Sequence, residues 1–61
     1  MMLHFLNAGF TADKNRVVLW QRGNYYYEID VRGGKKIAVH DSFEVAMEKF
    51  KEIAVSQLVV S

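Results

Sequence analysis

The chain has 61 residues, no proline and no cysteine, with 51% apolar residues, 25% charged residues and a formal net charge of +1. Such a length holds one small domain that buries only about 60% of its unfolded surface, and without thiols neither disulfides nor a cysteine-held zinc can supplement the core. Apolar and aromatic content is too high for a disordered tail, and little room remains for an enclosed catalytic cavity, so composition points to a non-enzymatic α+β domain that touches something.

Residues 1–15 read as an N-terminal arm or edge strand. Met1-Met2-Leu3-His4-Phe5-Leu6 is apolar but far shorter than the ~20 residues that cross a bilayer, and it lacks the basic start and small-residue cleavage site of a leader. Together with the absence of cysteine, this makes a cytoplasmic location the expectation.

Residues 16–40 read as a three-stranded antiparallel meander. Arg16–Arg22, Tyr25–Arg32 and Lys35–His40 are rich in β-branched and aromatic residues and are separated by Gly23-Asn24 and Gly33-Gly34. A two-residue Gly23-Asn24 turn predicts the pairs Arg22 with Tyr25, Trp20 with Tyr27 and Val18 with Ile29. In that register Val18, Trp20, Tyr25, Tyr27, Ile29 and Val31 face one way, while Val17, Leu19, Gln21 and Tyr26 face the other. A three-residue loop of Gly33, Gly34 and Lys35 then pairs Val31 with Ile37 and Ile29 with Val39, keeping the third strand's apolar residues on the first face. Ala38 falls on the second.

Residues 41–55 read as a helix that begins at Asp41 or Ser42. Phe43, Ala46, Met47, Phe50, Ile53 and Ala54 form one apolar stripe at helical spacing, and Asp41 with Glu44 matches a capping box at its start. Residues 56–61 are a tail or a further edge strand, with Leu58–Val60 strand-prone. The expected whole is a single domain over residues 1–61: a three-stranded antiparallel sheet packed on one C-terminal helix, β-β-β-α, with either apolar end able to add an edge strand within the chain or between chains.

Chemistry-bearing motifs are sparse. Gly33-Gly34-Lys35-Lys36 lacks the helix that opens behind a phosphate loop and reads as a hairpin turn. His4 and His40 have no neighbours at metal-ligand spacing and read as surface histidines. Glu28 and Asp30 share a strand face and are expected to be solvated and bonded to Arg32 and Lys36. No serine keeps triad company, so no catalytic residue, metal, cofactor or small-molecule substrate is indicated.

Charge is distributed unevenly. Residues 14–36 carry a balance of +4 and residues 37–61 a balance of −2. The meander gathers Lys14, Arg16, Arg32, Lys35 and Lys36 at one end of the sheet, where five cations suit a nucleic-acid backbone or an acidic protein surface. The order of strands, Gly33-Gly34-Lys35-Lys36, last strand, then Phe43 and Ala46 in a helix resembles the three-strand-plus-helix DNA-binding domains of plant ethylene-response factors and integrase arm-binding modules. That resemblance covers Tyr25–Ala54, about half of the chain. It implies that the sheet face away from the helix enters the major groove, yet the outward positions of the middle strand carry Glu28 and Asp30, which repel phosphates.

The uncovered apolar face of Val17, Leu19, Gln21, Tyr26 and Ala38 is the leading candidate surface. It predicts an interaction module that binds a protein partner or itself, in the manner of small phage or mobile-element accessory and inhibitor proteins. Nucleic-acid binding through the basic end is the second expectation.

Overall fold

The computed structural model describes residues 3–57. The fold is α+β: an antiparallel sheet of four principal strands, lengthened at one edge by a two-residue fifth, with one helix packed on it. In chain order these are β1 (His4–Phe10), β2 (Arg16–Gly23), β3 (Tyr26–Val31), β4 (Lys35–Val39), α1 (Phe43–Ile53) and β5 (Ser56–Gln57). Their order across the sheet is β4-β3-β2-β1-β5. The N-terminal segment is therefore a full strand in the chain's own sheet, and the chain leaving the helix returns as a short edge strand. Leu58–Val60 lie outside the described residues.

Adding β1 makes β2 the central strand of the sheet. β2 carries apolar residues toward both faces, Val17-Val18-Leu19-Trp20, so hydrophobicity alone does not say which set meets the helix. Which face receives which set is decided by register, and here the structure corrects the two-residue turn. The observed pairs are Val17 with Val31, Leu19 with Ile29 and Gln21 with Tyr27, one residue away from the expected pairing, with a bulge at Arg22. The turn itself is Asn24-Tyr25 rather than Gly23-Asn24. A slip of one residue sends every side chain of a strand to the opposite face. Val17 and Leu19, expected outside, are fully buried beneath α1. Gln21 shares their side of the sheet, whereas Val18 and Trp20 face outward.

Packing explains the choice. The core comprises Val17, Leu19, Tyr27, Ile29, Val39, Ala46, Phe50 and Ala54. One helix leaves a narrow space above the sheet, and the Phe50 ring already occupies its centre. Valine and leucine fill the remainder, while the Trp20 indole finds room on the other face against Phe5.

On β3 the expected alternation holds: Tyr27, Ile29 and Val31 face the helix, and Tyr26 and Glu28 face away. On β4 the odd loop also holds, but it is Arg32-Gly33-Gly34, so the observed pairs are Val31 with Lys35, Ile29 with Ile37 and Tyr27 with Val39. The shift of two residues preserves the faces. Gly33 and Gly34 adopt φ of 112° and 102°, conformations that side chains with a β-carbon rarely reach.

Of the two expected helix starts, Asp41 and Ser42, it is Ser42 that caps α1. Ser42 Oγ accepts the Val45 amide at 3.4 Å, and Asp41 Oδ1 accepts the Ser42 amide at 2.7 Å, so no reciprocal box with Glu44 forms. Ala46, Phe50 and Ala54 are buried as the helical stripe requires, with Met47 and Ile53 beside them. At the far end Val55 donates its amide to the Phe10 carbonyl at 2.9 Å, turning the chain onto the edge of β1. No helix among the described residues is long and apolar enough to cross a membrane.

Candidate functional site

The face of the sheet away from α1 is ordered by register into rows. Phe5, Trp20, Glu28 and Ala38 form one row; Ala8, Val18, Asp30 and Lys36 form the next. The β1 and β2 half of the face is thus apolar and the β3 and β4 half mostly charged. Phe5 is 50% exposed and meets Trp20 edge to face, with ring centroids 5.9 Å apart. This arrangement depends on a bulge at Leu6, which turns Phe5 outward while Leu6 packs toward the core and Asn7 is buried on the helix side. Beyond the end of the Glu28 row, Tyr26 stacks on His40 with centroids 4.5 Å apart.

Charges on this face are partly matched. Arg22 Nε lies 3.4 Å from Glu28 Oε2. Asp30 Oδ1 is buried without a hydrogen-bond partner. Burial holds the Asp30 carboxyl above its usual value, Glu28 adds to the shift, and Lys36 opposes it. Glu28 therefore pairs with Arg22 rather than with Arg32.

Of the residues expected to form a protein-binding patch, Tyr26 and Ala38 lie on the outer face. Val17, Leu19 and Gln21 do not. The residues that replace them are Phe5, Val18 and Trp20. The sequence signal for them was the apolar run of β2, which is continuous rather than alternating and so puts apolar side chains on both faces of the sheet.

The basic residues do converge. The Arg32 amide donates to the Arg16 carbonyl at 2.8 Å and draws the β3–β4 loop against the start of β2. Arg16, Arg32, Lys35 and Lys36 line one open depression of about 340 Å³, together with Val18 and Asp30. Lys14 sits at φ 67° in the β1–β2 turn and lines a neighbouring depression with Phe10 and Val55. Four of the five expected cations thus surround a single hollow at the edge of the outer face, and the fifth stands on the adjoining turn. No protein-family model, curated protein or solved structure matches the chain.

Proposed function

We propose that this protein is a non-enzymatic interaction module that docks a protein on the outer face of its sheet. The observation that carries this reading is Phe5, half exposed and set edge-on against Trp20 on the face opposite the helix. Interface cores are enriched in such aromatic anchors and rimmed by polar groups, which Arg16, Arg22 and Lys36 supply here. The docking residues are Phe5, Val18, Trp20, Tyr26 and Ala38, and a second copy of the chain is the first occupant to test. A photoreactive phenylalanine analogue at position 5 should give protein adducts in cells, whereas the same analogue at Glu48 on the exposed side of α1 should not. A two-chain adduct identifies self-association. Equal yields from the two positions overturn the reading.

A second reading, nucleic-acid binding, is favoured by the four cations around one hollow beside an aromatic face, a pairing that suits phosphates and stacked bases. The resemblance over Tyr25–Ala54 to three-strand DNA-binding domains points the same way, while Glu28 and Asp30 oppose it. Affinity for an oligonucleotide should then fall steeply with salt and vanish in Lys35→Glu/Lys36→Glu; no binding at low salt eliminates this reading.

A further inference from the structure

At the end of the molecule away from the basic loops, an open depression of about 510 Å³ lies between the β2–β3 turn and the start of α1. Three aromatic rings border it: Tyr25, Tyr27 and Phe43. The Tyr27 and Phe43 rings stand 6.2 Å apart with planes inclined at 59°, which gives the hollow a floor and a sloping wall. Tyr27 is the buried member and Phe43 is 44% exposed. Tyr25 is 69% exposed, and its backbone sits at φ 56°, a conformation costly for a bulky residue. The turn thus holds a large ring in water at the mouth of the hollow, where it serves no core contact.

Electrostatics select the occupant. Among the described residues, the lining includes no lysine or arginine, and its one charged group is the Glu44 carboxylate. Asp41 adds a second carboxylate at the entrance to the helix. The positive pole of α1 is met by the chain's own oxygens, since Ser42 Oγ accepts the Val45 amide and Glu44 occupies the first turn. Aromatic faces carry negative quadrupole density, so rings beside a carboxylate attract a cation. An open site cannot strip a small, strongly hydrated ion. A bulky organic cation with diffuse charge keeps its attraction to the rings and buries methyl groups against them.

We propose that the Tyr25–Tyr27–Phe43 cleft, with Glu44, binds a quaternary ammonium group. The cleft stands apart from the outer sheet face, and its ligand is independent of whatever docks there. Sequence alone indicated no small-molecule ligand: Tyr25 and Tyr27 on one strand face and Phe43 in the helical stripe read as core residues, and the exposure of Tyr25 and Phe43 emerges only in the folded chain.

The test is a titration of the full chain followed by NMR. Tetramethylammonium chloride should move the ring protons of Tyr25, Tyr27 and Phe43 saturably, at about millimolar concentration, while sodium chloride at equal ionic strength leaves them in place. Choline should bind about tenfold more tightly than its uncharged isostere 3,3-dimethylbutan-1-ol. Tyr25→Asn keeps a residue suited to the left-handed turn and removes the ring, and should weaken choline about tenfold; Glu44→Gln should weaken it about threefold. Trimethyllysine amide, run beside choline, separates a modified peptide from a free headgroup as the source. Equal binding of choline and the neutral alcohol overturns the proposal. So does wild-type affinity in a Tyr25→Asn chain whose amide spectrum remains dispersed.

Discussion

Asp30 faces outward from β3 between Val18 and Lys36, and one of its carboxylate oxygens is enclosed without a hydrogen-bond donor. Enclosure disfavours the charged form, and Glu28 two residues away on the same face disfavours it further, so the folded chain holds the Asp30 proton above the usual value of 3.8. A raised acid binds its proton more tightly folded than unfolded, so the contribution of Asp30 to stability is greatest below 3.8 and declines as pH rises through the folded value. Above that range the ionised carboxylate is a standing cost that Lys36 offsets only in part. Asp30→Asn should match the wild type near pH 3 and exceed it at about pH 7, with urea midpoints at the two pH values as the measurement. A loss of stability at the higher pH would mean that attraction to Lys36 outweighs burial.

At the scale of elements, β2 decides which surface the molecule presents. The alternation of β3, the odd β3–β4 loop and the apolar stripe of α1 were all legible in the sequence, because each has a single apolar set with one place to go. β2 has two such sets, Val17 with Leu19 and Val18 with Trp20. Local turn chemistry favoured the second set for the core, since Gly23-Asn24 matches a two-residue hairpin. What overrode it is not local: β1 lies alongside, Phe5 shelters Trp20 on the outer face, and Arg22 bulges so that Asn24-Tyr25 makes the turn. The basic end survived the slip because its residues sit in loops and strand ends, where a shift of one residue alters pairing but not location. The aromatic site did not, because it depends on parity. Substitution reads that parity directly. Leu19→Asp should unfold the chain, since it places a carboxylate in a fully buried position with no cation facing it. Val18→Asp lands on the outer face and should leave the fold intact, with a cost of about 1 kcal/mol from lost strand propensity and from the nearby Asp30 charge. Far-ultraviolet circular dichroism of the two variants distinguishes them, and the reverse outcome would restore the two-residue turn.

For the whole molecule the governing fact is a thin core. One helix meets the sheet through Ala46, Phe50 and Ala54, and the Phe50 ring is the largest fully buried side chain. A chain of this length has a total stability of roughly 3–9 kcal/mol at ordinary values per residue. Phe50→Ala, at about 3–5 kcal/mol, consumes between about a third and all of that margin. With so little in reserve, any ligand or protein that binds only the folded state raises the melting temperature through mass action. The proposed docking face makes this concrete for self-association. If a second copy covers Phe5 and Trp20, the wild-type midpoint should climb by several degrees between about 10 μM and 1 mM protein, because each tenfold rise in concentration favours the folded dimer. Phe5→Asp should abolish the climb while lowering the low-concentration midpoint only by the loss of the Trp20 ring contact, about 0.5–1.5 kcal/mol, since Phe5 lies outside the core cluster. Light scattering on the same samples must show the mass doubling over the same range. A midpoint independent of concentration, with a single-chain mass throughout, rules out a second copy and leaves the outer face to a different protein.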